Sequence, residues 1–162
     1  MTFDDFVRAE LGALTRFAGA LTGDRWLAED ILSDALLKVA RHWPRVAGMD
    51  DPAAYVRRAV VTTYVSDRRK TRRRRTVPAA DSTTLDRPGP DASTAVVARD
   101  EVERLLARLT PRQKAAIVLR YLFDESDEQI ALALGCTPGT VRSHLCHARA
   151  ALRLATTPAS KE

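Results

Sequence analysis

The chain is poor in aromatic residues, has little cysteine and contains no long apolar run. Phe, Trp and Tyr together make up 6% of the 162 residues, so its cores must be built from Leu, Val, Ile and Ala. No run of apolar residues approaches the roughly 20 needed for a membrane-spanning helix, so membrane insertion is not expected. The N-terminus, MTFDDFVRAELG, carries acids where a secretion signal carries bases, which points to the cytoplasm. Two cysteines, Cys136 and Cys146, cannot make a disulfide framework. There is no internal repeat, no alternating strand pattern and no glycine-rich phosphate loop. Ser, His and Asp are all present, but no local arrangement points to an activated nucleophile. The chain is therefore not expected to be an enzyme or to hold a cofactor.

What is present suffices for folding. With 45% hydrophobic and 29% charged residues, the chain is globular, as one domain or two small ones. Its net charge is +5, unevenly spread. Residues 1–75 carry 15 basic and 10 acidic side chains, residues 76–100 carry 2 and 4, and residues 101–162 carry 9 and 7. The first excess comes from one stretch, where Arg68, Arg69, Lys70, Arg72, Arg73, Arg74 and Arg75 crowd into eight residues. Such a run meets a polyanion or stays solvated. Arg outnumbers Lys 22 to 4, and Arg suits planar contact with phosphate or guanine. A GC-rich genome, whose codons favour Arg, explains the excess at large equally well but does not explain the clustering.

Hydrophobic spacing gives an all-α fold of two small helical domains joined by a flexible linker. Phe3, Phe6, Val7, Leu11, Leu14, Phe17, Ala18 and Leu21 recur at helical intervals, with Thr2 and Asp5 as a cap and Gly23 as a stop. Asp24 caps a second helix that runs to Trp43 and stops at Pro44. Its apolar stripe is Leu27, Ile31, Ala35, Leu36 and Val39, and Glu29, Asp30 and Asp34 form an acidic stripe beside it. Pro44–Asp51 reads as a loop. Pro52 opens a third helix, with Tyr55, Val56, Ala59, Val60 and Thr63 facing a core. Residues 1–75 thus form one bundle. Residues 76–94 hold three prolines, a glycine and several acids, and read as an extended linker. Residues 95–155 form the second domain, and 156–162 a frayed tail. There Val102, Leu105, Leu106 and Leu109 line one helix, and Ile117, Val118, Tyr121 and Leu122 a second, opened by Thr110 and Pro111.

The strongest local signal is Ser126–Leu152. Ser126 with Gln129 is a capping box for a short helix, Gly135 ends it, and Thr137-Pro138 starts another. Ile130, Ala131 and Leu134 on the first helix oppose Val141, Leu145 and Ala148 on the second, which is the helix-turn-helix pattern. Such a second helix enters a major groove by its N-terminal half. Its outward residues are Thr140, Arg142, Ser143, Cys146 and His147. The alternative is a plain helical hairpin. The Arg run follows a helix whose exposed side carries Arg57, Arg58, Thr62 and Thr63, suggesting one phosphate-tracking surface. Cys136, His144, Cys146 and His147 lack the convergence a zinc site needs, so no metal is expected.

Together these segments resemble a family. AEDILSDALLKVARHW is similar to region two of bacterial sigma factors, and DPAAYVRRAVVTTYVSDRRKTRRRR to its continuation. LTPRQKAAIVLRYLFDESDEQIALALGCTPGTVRSHLCHARAALR resembles region four. The order is region two, acidic linker, region four, with nothing between, which is the layout of the extracytoplasmic-function (ECF) sigma factors of the sigma-70 family. The stretch DDPAAYVRR is most like an actinobacterial SigE-like subgroup.

The resemblance implies a promoter-specificity subunit of RNA polymerase that also aids strand opening. Asp30, Asp34 and Leu37 match the surface that docks on the clamp helices of the polymerase β′ subunit. Pro44–Asp51 matches the loop that receives a flipped base of the minus-ten element. Arg57, Arg58, Thr62 and Thr63, with Arg68 and Arg69 of the basic run, match the helix that meets the promoter where strands separate. Thr140, Arg142, Ser143 and His147 fall on the helix face that meets the minus-thirty-five element. Core RNA polymerase, through its β′ clamp helices and β flap, and promoter DNA are the implied partners, and an anti-sigma factor is a further candidate. The family commonly has Asn where Thr63 stands, a larger residue in place of Cys146, and Arg in place of His147. The competing reading is a LuxR-type regulator, whose helix-turn-helix shares the pattern of Ile130, Ala131, Gly135, Val141, His144 and Leu145. That reading requires a receiver or ligand domain with strands in residues 1–75, where the periodicity gives helices only.

Overall fold

Eight helices follow one another, and no strand occurs among the described residues, which in this computed structural model are 1–75 and 94–156. The expected linker up to residue 93, and the tail after Thr156, lie outside them. The elements are α1 (Phe3–Thr22), α2 (Arg25–Ala40), α3 (Trp43–Val46), α4 (Pro52–Arg75), α5 (Thr94–Leu106), α6 (Pro111–Phe123), α7 (Asp127–Leu134) and α8 (Pro138–Thr156).

Local chemistry sets most of these ends. Thr2 and Asp5 cap α1 reciprocally, and Gly23, at φ +64°, closes it in the left-handed conformation. The Asp24 carboxylate accepts from the Trp26 and Leu27 amides at the start of α2. Thr110 with Gln113 and Ser126 with Gln129 repeat the capping box on α6 and α7. The second helix is shorter than its periodicity suggests. It ends at Ala40, and Pro44 does not stop it but sits in the first turn of α3, where a missing N–H costs nothing. The turn brings Trp43 onto Phe3 and Phe6, with ring centroids 5.3 and 4.9 Å away, and the indole N–H donates to the Met1 carbonyl.

In the N-terminal half, α2 packs on α1 and α4. In the C-terminal half, α7 and α8 pack on each other and on α6. The halves do not stand apart, since α1 and α4 lie against α6, and α4 against α7. This explains a surprise on α6. Its amphipathic pattern gives one buried side, yet Lys114, Ala115, Ala116, Ile117, Val118 and Leu119 are all buried in sequence. A helix enclosed by neighbours from both halves has no free side along that stretch. Tyr121 and Leu122, expected in its core face, are exposed instead, as are Leu11 and Val102.

The junction between the halves mixes apolar and ionic contacts. Phe17 of α1 meets Phe123 of α6 edge to face at 5.1 Å. The Arg57 guanidinium lies 4.8 Å from the centroid of the same Phe123 ring. Arg57 Nε donates to Glu125 Oε1 at 2.7 Å, with side chains only 12% and 5% exposed, and Asp51 Oδ2 lies 3.7 Å from Nη2. Glu125 is aimed there by the turn after α6. Asp124 takes a left-handed conformation at φ 51°, and the Glu125 amide donates back to the Leu119 carbonyl. Lys114 adds a cation at the end of α1: a Cβ on Gly23 would sit 4.0 Å from its Nζ. The last turn of α1 has no basic residue of its own, so Lys114 complements the negative end of that helix from the other half. Burial, aided by Arg68 and opposed by Glu103, pulls the Lys114 pKa below the usual lysine range.

Two outcomes follow from this packing. Glu125→Gln leaves the Arg57 charge enclosed without its carboxylate and lowers the unfolding free energy by about 1–3 kcal/mol in urea titrations. Replacing both partners, Arg57→Met with Glu125→Leu, restores most of that loss, because the cost lies in an uncompensated buried charge. The second concerns His144 on α8, half-buried near Arg112 and His147. Burial first, then those two neighbours, push its pKa below the ordinary 6.5. The unfolded chain then binds the proton more readily than the folded one, so stability falls as pH drops below about 6.5 and levels off once the folded protein also protonates. Between about pH 7.5 and about pH 5, His144→Gln loses less stability than the parent.

Candidate nucleic-acid and polymerase interfaces

The C-terminal site is built by α7 and α8. Ile130, Ala131 and Leu134 of α7 pack against Val141, Leu145 and Ala148 of α8, and all six are buried. Gly135 ends α7 at φ +65°, a conformation a side chain resists. Arg112 donates from Nη1 to the Leu134 carbonyl at 3.0 Å, satisfying the end of α7. Thr137 opens α8 by accepting the Thr140 amide at 3.2 Å. With that side fixed, Thr140, Arg142, Ser143, Cys146 and His147 are all exposed, as the periodicity predicts. They span the N-terminal half of α8, the part that a groove receives. Arg142 Nη1 also donates to Asp127 Oδ2 at 3.3 Å, and Arg120 contacts the other oxygen of that carboxylate. Sequence spacing does not reveal this bridge, although an acid at the first position of α7 opposite an Arg on α8 is its trace.

The basic surface of α4 is only partly as expected. Arg58, Thr62 and Arg69 are exposed, and Arg68 is half-buried with its guanidinium 5.8 Å from the Tyr64 ring centroid. Two assignments to the exposed side are corrected. Arg57 is engaged by Glu125 and Phe123 of the other half. Thr63, which the pattern gives to both the packed and the exposed side, is buried, and Lys38 donates to its hydroxyl at 3.5 Å. It sits one helical step from Val60 and Tyr64, within the face that α2 covers. The basic run from Arg68 is helical to Arg75 and puts cations at the negative end of α4.

On α2, Glu29, Asp30 and Asp34 are exposed beside Leu37, which is 65% exposed. Asp34 pairs with Lys38 at 2.7 Å and Glu29 with Arg25 at 3.3 Å. Both pairs are solvated and weak, so the acids are available to a partner at small cost. A groove of about 230 Å³ between α2 and α4 is lined by Asp30, Asp34, Lys38, Thr63, Asp67 and Lys70. No group of three or more His, Cys, Asp or Glu side chains converges as a metal site among the described residues. None of the described helices is long and apolar enough to cross a membrane.

Comparison with known proteins accounts for both halves. Residues 6–74 match the family described as Sigma-70 region 2, and residues 99–152 match Sigma-70, region 4. The chain is 33% identical over 158 residues to the RNA polymerase sigma-E factor of Streptomyces avermitilis, covering 94% of this chain and 84% of that one. It is 37% identical over 146 residues to the ECF RNA polymerase sigma factor SigL of Mycobacterium tuberculosis, covering 87% and 81%. A solved structure of the sigma factor RpoE of Bartonella quintana, in complex with the anti-sigma factor NepR, has the same fold with a TM-score of 0.73. It is 24% identical and the match covers 96% of this chain and 98% of that one. A LuxR-type regulator is not supported, because the N-terminal half is a sigma domain rather than a receiver. The chain belongs to the extracytoplasmic-function sigma factors of the sigma-70 family.

Proposed function

We propose that the chain directs core RNA polymerase to a subset of promoters and acts by binding, not by catalysis, in the cytoplasm. The observation that carries the reading is the α8 face, where Thr140, Arg142, Ser143 and His147 stand exposed on a helix locked by its buried side. Those four residues read the minus-thirty-five element. Arg142 contributes a base or phosphate contact, and Thr140 and Ser143 contribute hydroxyls for phosphate or base edges. Asp30, Asp34 and Leu37 dock on the β′ clamp helices, and residues 95–155 engage the β flap. The segment Pro44–Asp51 receives a flipped base of the minus-ten element, which offsets an unstacking cost of a few kcal/mol.

Along α4, Arg58, Thr62 and Arg69 meet the promoter where the strands part. Arg57 and Arg68 join them when the C-terminal half moves off α4, because Arg57 cannot lie on Glu125 and on a phosphate at once. Thr63 supports the surface from beneath. The residues between 76 and 94 connect the two readers. RpoE of Bartonella quintana is in complex with an anti-sigma factor, as is CnrH with the cytosolic domain of CnrY, and an anti-sigma partner for this chain fits the same fold.

Three outcomes check the reading. Adding the chain to core enzyme yields transcripts with defined start sites in run-off assays, and core alone yields none. The free chain, with a net charge of only +5, binds duplex DNA weakly and without sequence preference at moderate salt. Asp34→Arg keeps the melting temperature but lowers run-off output more than tenfold, since like charges across an interface cost several kcal/mol. Wild-type co-purification of that variant with core enzyme removes the α2 face from the interface.

A further inference from the structure

Asp127 opens α7 and faces the recognition helix across the turn. One carboxylate oxygen takes Arg120 Nη2 and the other takes Arg142 Nη1. The carboxylate thus bridges a guanidinium from α6 to one on α8. Exposure is graded along the bridge: Arg120 is 28% exposed, Asp127 23% and Arg142 64%. Arg120 Nε is buried and has no partner among the described residues, so Asp127 is what holds this guanidinium in place. The inner, less exposed pair presents an acceptor to the exposed outer Arg.

Arg is planar, with five donors in a rigid fork. The contact at Nη1 restrains the guanidinium without using its Nε–Nη2 edge. That edge matches the two acceptors a guanine presents in the major groove, N7 and O6. The carboxylate also puts a negative charge beside Arg142, which disfavours its use as a phosphate anchor. Both effects turn a general cation into a base reader.

We propose that Asp127 is the positioning residue for Arg142 and so a determinant of promoter specificity. This rests on the reading of α8 as the helix that meets the upstream promoter element. The test uses the full chain with core RNA polymerase and a promoter set carrying every single-base change in that element. Output is taken as the ratio of cognate to variant promoter for one protein preparation, so any loss of active protein cancels.

Arg142→Ala identifies the base pair concerned by flattening the ratio there. Asp127→Asn is expected to lower the ratio at that same base pair about tenfold and to leave the others within about twofold. Asp127→Glu, which keeps the charge, restores at least part of the discrimination. In the Arg142→Ala background, Asp127→Asn changes the ratio less than about twofold, because the two residues act as one unit. Two results overturn the proposal while sparing the reading of α8: an unchanged ratio for Asp127→Asn where Arg142→Ala flattens it, or independent losses that multiply in the double variant. A flat response of every base pair to Arg142→Ala overturns both.

Discussion

Arg57 is held on three sides, by the ring of Phe123, the carboxylate of Glu125 and, at longer range, Asp51. A guanidinium this enclosed tolerates its loss of water only because its charge is matched at 2.7 Å and its flat face is covered. The rest of the arrangement hangs on that match. Phe123 is the ring that Phe17 meets, and Glu125 immediately precedes the Ser126 cap of α7. One contact therefore ties α1, α4, the α6–α7 turn and the start of the helix-turn-helix into a single body.

The shortage of aromatics shapes this outcome. Large rings are used at a few places, with Phe3, Phe6 and Trp43 closing the N-terminal end and Phe17 and Phe123 the junction. Elsewhere small and aliphatic residues let helices approach closely, as Ala115, Ala116 and Ala131 do. Ala131 and Ala148 let α7 and α8 pack while Val141 and Leu145 fix the rotation of α8. That rotation is what sends Arg142, Ser143 and His147 outward.

Much of this is legible from residues that act locally. Thr2, Asp24, Ser126, Gly23 and Gly135 announce helix ends because their effect depends on neighbours within a few positions. The exposed side of α8 is legible for the same reason, since it is the complement of Val141, Leu145 and Ala148. Pro44 misleads because its meaning depends on where a helix starts: it breaks an interior but suits a first turn, and the burial of Trp43 decides which applies. Arg57 misleads because its partner comes from afar, and Thr63 because its spacing fits both the packed and the exposed side of α4. Glu125 is 68 positions from Arg57, and Lys38 is 25 from Thr63. No periodicity within α4 encodes either partner. The enclosure of α6 by both halves is invisible for the same reason.

Charge is unevenly spread over α2 and α4. Acids cluster on α2 beside an exposed Leu37, whereas bases cluster at the C-terminal end of α4, where they also neutralise the helix dipole. With 24 residues, α4 is about 36 Å long and runs from Pro52 past the junction at Arg57 to the basic run. The same rod thus carries the contact that holds the halves together and the densest run of cations in the chain. The junction between the halves and the basic run therefore share one helix.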